Sequence, residues 1–256
     1  MEKKYWVPGL ERGRNILDLV ARRPAELRLI DICRELDLNK SSAFSLLNTL
    51  EKLQFVQKER GDTYRLGPWL GILGAAYFSQ FNLLESFHNE AKSSVQEIHE
   101  TLQLGMLDKT EVLYLAKEET ETPHVVSNPG MRYPAHTTGL GKVQLAQYDA
   151  TSLRALYEGQ TLDPRTPYTI TDIERLWDEL QEVARQGYAI DQQEAVEGFF
   201  CVAAPVYNHT GRIIAGTSVS MTKDHWLAKQ ETAIQEVVGL AQRISWQAGY
   251  RPKQEN

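Results

Sequence analysis

Leu29–Leu53 reads LIDICRELDLNKSSAFSLLNTLEKL, and after Gln54 the chain continues as FVQKERGDTYRLG, Phe55–Gly67. The first stretch predicts two short helices, Leu29–Leu36 and Ser41–Leu53, around a tight polar turn. The second predicts a hairpin, because Phe55–Lys58 and Thr63–Leu66 alternate on either side of Glu59-Arg60-Gly61-Asp62. Upstream, Leu10–Arg22 reads as a helix with Ile16, Leu17, Leu19 and Val20 on its apolar side, ended by Pro24. Three helices followed by a two-stranded wing make a winged helix-turn-helix, a module that works on DNA.

On a helical wheel of the third helix, Ala43, Leu46, Leu47, Leu50 and Leu53 share one face, which predicts their burial. Opposite them lie Ser41, Ser45, Asn48, Thr49 and Lys52, small or polar groups that allow close approach to base edges. Lys40, Ser41 and Ser42 sit at the helix N-terminus, where phosphate is favoured, with Asn39 or Ser41 as the cap. Arg60 at the wing tip, and Arg12 and Arg14 on the first helix, are expected to reach backbone phosphates.

Composition fits an ordinary globular chain of 256 residues, 42% hydrophobic and 24% charged, long enough for one small and one medium domain. The net charge of −6 is uneven: residues 1–67 carry 13 Lys and Arg against 10 Asp and Glu, and the rest 15 against 24. A basic end on an acidic body is consistent with one DNA-facing module. No apolar run reaches the roughly 18–20 residues of a membrane span. The N-terminal stretch lacks an apolar signal core, and Cys33 and Cys201 are isolated, so a cytoplasmic protein with reduced thiols is expected.

Pro68 opens WLGILGAAYFSQF, an apolar helix that is either a dimerising linker or a plain core helix. Beyond it the pattern becomes mixed α/β. Helices are expected over Leu84–Leu102, Thr138–Gln147, Asp172–Gln186 and Lys223–Gly249. Strands are expected over Leu104–Leu107, Val112–Ala116, His124–Ser127, Tyr188–Asp191, Phe199–Tyr207 and Arg212–Ser220. The predicted class is α+β, divided into residues 1–67 (winged helix-turn-helix), 68–82 (linker helix) and 83–256 (sensor-type domain).

Within the third segment, Gly139 and Leu140 open a helix whose free N–H groups could receive a carboxylate. Ser218 and Ser220 point to one side of their strand, and Cys201 and Asp191 fall near the ends of neighbouring strands. Together these six predict a small polar cavity, with apolar walls from Tyr133 and Phe199 and less securely from Met131; Phe199 and Phe200 are both bulky enough to reshape it. Each has a bland alternative: strand serines that bond backbone, a cysteine acting as a small hydrophobe, an aspartate forming a turn. His136 and Lys142 are read as structural or interface residues.

The chain resembles the IclR family of bacterial transcriptional regulators. The resemblance rests on Asn39-Lys40-Ser41-Ser42, Leu46-Leu47-Asn48-Thr49-Leu50 and Tyr64-Arg65-Leu66-Gly67. It continues in Pro134–Lys142, Gly187–Asp191, Gly198–Val206 and Gly211–Ala215. It implies a winged-helix domain, a linker helix, a GAF-like effector domain, and dimers often paired into tetramers on palindromic operators. It also implies control of a catabolic operon, with repression favoured over activation and a keto, sugar-derived or aromatic acid as effector. The family's effector contacts fall on Gly139, Leu140, Asp191, Cys201, Ser218 and Ser220. Relatives commonly place Arg where this chain has Ser45, and often His where it has Phe44, so an operator preference unlike the family average is expected. No cofactor, metal site, membrane association or catalysis is expected. The alternatives are redox or metal sensing through Cys201 with His124 or His136, and a hydrolase-like use of Cys201, His136 and Asp191.

Overall fold

The computed structural model describes residues 6–120 and 127–252, and the chain divides into two compact units, Met1–Gln80 and Phe81–Asn256. In the first unit, α1 (Pro8–Arg22), α2 (Leu29–Glu35) and α3 (Lys40–Lys52) precede the antiparallel pair β1 (Val56–Lys58) and β2 (Tyr64–Leu66). Pro at the start of α1 costs no hydrogen bond, because the first N–H groups of a helix lack internal acceptors. α3 starts one residue earlier than expected and is capped by Asn39, whose side chain accepts from the Ser42 N–H at 2.8 Å. Ile16, Val20, Leu27, Ile32, Leu47, Leu50, Val56 and Tyr64 form the small core. Truncating one of its fully buried aliphatics, such as Leu47→Ala, would cost about 2–5 kcal/mol. α4 (Pro68–Gln80) closes the unit and buries none of its residues.

The second unit is built on one six-stranded antiparallel sheet in the order β5-β4-β3-β8-β7-β6. Its strands are β3 (Thr101–Asp108), β4 (Glu111–Glu118), β5 (Arg132–Pro134), β6 (Ala189–Gln192), β7 (Phe199–Tyr207) and β8 (Ile213–Thr222). α5 (Leu83–Ile98) and α9 (Lys223–Gln247) cover one face, burying Phe87, Trp226, Val237 and Leu240 against Leu102, Leu104, Val202 and Val219. α6 (Gly139–Leu145), α7 (Ala150–Leu156) and α8 (Ile173–Gln186) cover the other, with Leu140, Val143, Leu153, Leu176 and Leu180 inside. The predicted α+β class is the observed one.

Several boundaries moved. The helix expected to run to Leu102 stops at Ile98, where His99 takes a left-handed conformation (φ 55°), and β3 begins at Thr101. Neither Gly nor Pro marks that stop. The helix expected over Thr138–Gln147 is α6 alone, preceded by a 3-10 turn, Ala135–Thr137, with Thr138 as its cap. Asp172 caps α8 rather than belonging to it, and Gly187 ends that helix at φ 82°. β5 and α7 were not anticipated. The strand expected at His124–Ser127 lies largely outside the described residues, and Ser127 itself is in no strand.

Candidate functional site

Cross-strand pairing on the α6 side of the sheet sets out the site. Asp191 on β6 faces Cys201 on β7, and Cys201 faces Ser220 on β8. Two residues along, Ala189 faces Ala203, Ala203 faces Ser218, and Ser218 faces Gln103 on β3. Directly opposed residues project to the same face, so one row is polar and the next is small with a polar end. The small residues let α6 sit close to the sheet. A Cβ on Gly139 would lie 3.2 Å from that of Ala203, and one on Gly141 only 2.0 Å from the Ala135 carbonyl oxygen.

Between α6 and these rows lies a cavity with about 550 Å³ of atom-free space, its mouth included. Gly139, Leu140, Asp191, Cys201, Ser218, Ser220, Tyr133 and Phe199 all line it, so eight of the expected cavity residues come together. Met131 and Phe200 do not. Met131 is exposed, and Phe200, one residue from Phe199 on a strand, points to the opposite face and stacks on Trp226 at 5.7 Å. Six lining residues were missed: Gln103, Tyr114, Ser127, Thr138, Ala195 and Val196. Gln103 fell between a helix drawn too long and a strand drawn too short. The alternation Thr101, Gln103, Gly105 against Leu102 and Leu104 was the available signal.

Gln103 is the hub of the polar wall. Its Oε1 accepts from Ser218 Oγ at 3.1 Å and from Ser220 Oγ at 2.9 Å, and its Nε2 donates to Ser127 Oγ. Ser220 Oγ also lies 3.0 Å from Cys201 Sγ. Burial, and then the neighbouring Asp191, push the Cys201 thiol well above its ordinary range. Asp191 Oδ1 accepts the Glu194 N–H at 2.6 Å. Desolvation, and then the Glu194 carboxylate, raise Asp191 from the usual carboxylate range to about 7.

Behind Asp191, Lys142 on α6 is fully buried and its ammonium donates to Glu194 at 2.5 Å, Glu179 at 3.2 Å and the Ile190 carbonyl at 3.3 Å. This pairing ties α6 to α8 and to the turn after β6, whose Ala195 and Val196 form part of the cavity wall. Arg165 braces the same turn, donating to the Ala195 carbonyl at 3.2 Å while lying 4.9 Å above the Tyr133 ring. His136 is held elsewhere, 3.3 Å from the Asp163 carbonyl and edge-on to Tyr157, and is not part of the cavity lining. Among the described residues no cluster of three or more His, Cys, Asp and Glu could hold a metal.

On α3 of the first unit, Lys40, Ser41, Ser45, Asn48, Thr49 and Lys52 are exposed and Ser42 is half-buried, while Ala43, Leu47 and Leu50 point inward. Leu53, expected inside, is 52% exposed because the helix has already ended at Lys52. Two hydroxyls of the outer face are already engaged: Thr49 Oγ1 donates to the Ser45 carbonyl at 2.8 Å, and Ser41 Oγ to Asn39 at 2.9 Å. Phe44 is 59% exposed beside Ser45. Arg12 and Arg60 are exposed without an ion pair among the described residues, whereas Arg14 pairs with Asp18 at 3.4 Å. No helix among the described residues is long and apolar enough to cross a membrane.

Two family models match this chain: the IclR helix-turn-helix domain over residues 9–60 and the bacterial transcriptional regulator IclR C-terminal domain over residues 75–246. The HTH-type transcriptional regulator XynR of Escherichia coli is 34% identical over 216 residues, 84% of this chain and 86% of that protein. KdgR of the same organism is 32% identical over 231 residues, 88% and 87% of the two chains. The crystal structure of the Agrobacterium tumefaciens repressor BlcR superposes with a TM-score of 0.83 at 28% identity, covering 98% of this chain and 100% of that one. A helix-turn-helix unit with a polar outer face, joined to a helix-covered sheet that encloses a cavity, thus matches these proteins in order, extent and fold, and the chain belongs to the IclR family of bacterial transcriptional regulators.

Proposed function

We propose that this regulator senses a small organic acid, bound in the cavity between α6 and the sheet, and represses a catabolic operon until that acid arrives. The observation that carries the reading is the cavity itself, which gathers all eight residues expected to hold an acid. Gly139 and Leu140 begin α6, where N–H groups have no acceptor within the helix and can receive a carboxylate. Tyr114 and Tyr133 meet edge to face at 5.7 Å on another wall, adding apolar surface with two hydroxyls. Asp191 titrates near neutrality, so its protonated form does not repel a bound anion.

The output is operator DNA read by α3, with Ser42, Ser45, Asn48, Thr49 and Lys52 toward bases and Lys40, Ser41, Arg60, Arg12 and Arg14 toward phosphates. BlcR, which shares the fold, is itself described as a repressor. The protein works in the cytoplasm as a homodimer that pairs into tetramers. Exposed Trp69, Ile72, Leu73 and Tyr77 on α4 leave an apolar helix that a second copy would cover. The acid changes operator affinity only through its differential affinity for two arrangements of that assembly.

A redox reading through Cys201 is weaker, because a thiol held neutral is a poor nucleophile. A hydrolase reading lacks its base, since His136 is engaged away from the cavity. Thermal-shift measurements across a panel of keto, hydroxy, sugar and aromatic acids test the proposal. A binding acid raises the melting temperature by mass action, and Ser218→Ala/Ser220→Ala abolishes the rise. An undiminished rise in the double variant would show that the acid binds elsewhere.

A further inference from the structure

We infer that Phe44, on the outer side of α3, is a base-reading residue that packs against the C5-methyl group of a thymine in the major groove of the operator. The inference rests on the reading of α3 as the DNA-facing helix and adds an apolar contact to its polar ones. Phe44 is the fifth of the thirteen residues of α3, in the N-terminal half that a recognition helix turns toward base edges. It is 59% exposed and takes no part in the small core of its unit. Lys40 and Asn48, four residues before and after it, occupy the same side of the helix, with Ser41 and Ser45 bordering it, and all four are exposed.

The apolar groove of this unit lies elsewhere. Leu10, Leu17, Leu46, Leu53 and Leu66 line a groove between α1, α3 and the wing, to which Phe44 does not contribute. Leu46 and Leu53 sit roughly 160–180° round α3 from Phe44, so a second copy covering that groove leaves the Phe44 ring in water. What faces the ring is what faces Lys40, Ser45 and Asn48. The hydrogen-bonding groups there are few. Thr49 spends its hydroxyl hydrogen on the Ser45 carbonyl, and Ser41 spends its own on Asn39 Oδ1, which the Ser42 N–H also holds as an acceptor. α3 contains no arginine, and its two lysines stand at its ends. Base discrimination along the middle of the helix is thus left to Phe44, Ser45 and Asn48. An asparagine amide matches adenine, and thymine carries the one alkyl group on a major-groove edge, so Asn48 and Phe44 both point to A·T pairs.

The test is a uracil scan. An operator is selected from random duplexes with the full-length protein, and each of its thymines is replaced in turn by deoxyuridine, which removes the methyl group and keeps every hydrogen bond. Affinities are read by fluorescence anisotropy. In the wild-type protein at least one replacement should weaken binding about fourfold, the effect of withdrawing one methyl group from an apolar contact. In Phe44→Ala the same replacement should change affinity by less than about 1.5-fold. Phe44→Leu keeps an apolar tip and should retain most of the loss. The ring lies outside the core, so neither variant removes a folding contact. If no uracil weakens the wild-type protein more than it weakens Phe44→Ala, the thymine contact is overturned. The reading of α3 then still stands if Asn48→Ala loses operator binding. If Asn48→Ala and Phe44→Ala both bind the selected operator as the wild type does, or if selection enriches no sequence, the reading of α3 falls and the inference with it.

Discussion

At the scale of single residues, the second unit gathers Lys142, Glu194 and Asp191 into one buried cluster, apart from buried Glu100, which pairs with Lys229 at 2.6 Å. Lys142 is fully buried with Glu194, which is 5% exposed, and Glu194 Oε2 has no hydrogen-bond partner. Removing one member of a buried pair leaves the other charge uncompensated, so Lys142→Met should cost about 3–5 kcal/mol in urea unfolding. Adding Glu194→Leu should recover part of that loss, because no unpaired carboxylate then remains beside Asp191. Asp191 makes a prediction in pH. Its folded value of about 7 lies above the ordinary 3.8, so the folded chain keeps this proton through a window in which the unfolded chain has lost it. The associated stability is complete below about pH 4 and is lost as pH rises to about 7. Asp191→Asn should flatten this slope and stabilise the protein at pH 8 by on the order of 3 kcal/mol. In the same variant, acid binding should no longer weaken above pH 7, where ionised Asp191 would repel the anion.

At the scale of elements, α6 is packed too closely to accept added bulk at Gly141. Its approach to the 3-10 turn leaves no room at Gly141, so Gly141→Ala should cost about 3 kcal/mol by driving a methyl into the Ala135 backbone, measurable as a lower melting temperature. The wing is the opposite case. Arg60 is exposed at its tip, and Arg60→Ala should leave folding unchanged while lowering the salt dependence of operator binding by about one ion. Elements whose signal is local were legible in the sequence. The Leu spacing of α3, the polar turn of the wing and the alternation that pairs Ser218 with Ser220 all appear where they were read. What escaped depends on register between distant strands. Gln103 enters the cavity because β3 pairs with β8 at Ser218, and nothing within Glu100–Leu104 announces that partner. Phe200 was misassigned for a related reason: its bulk suggested the cavity, but pairing with Met221 puts it on the α9 side of the sheet.

At the scale of the whole molecule, the proposed acid cavity lies in one unit and the DNA-reading helix in the other. The α4 helix between them in sequence shows Trp69, Ile72, Leu73 and Tyr77 with 42–54% exposure, an apolar surface that a second copy would bury. Ile72→Glu/Leu73→Glu should shift the protein toward monomer in sedimentation and weaken operator binding, since two half-sites are then no longer held together. Coupling between cavity and DNA is reciprocal in free energy: an acid that lowers operator affinity by a given factor must have its own affinity lowered by operator to the same extent. The most direct test is therefore a paired titration on the full-length protein. Operator affinity is measured by fluorescence anisotropy with and without a saturating acid found in the thermal-shift panel, and acid affinity by calorimetry with and without operator. Both affinities should fall by roughly 5–150-fold, and by equal factors. An acid that fills the cavity yet leaves operator affinity unchanged would contradict this coupling.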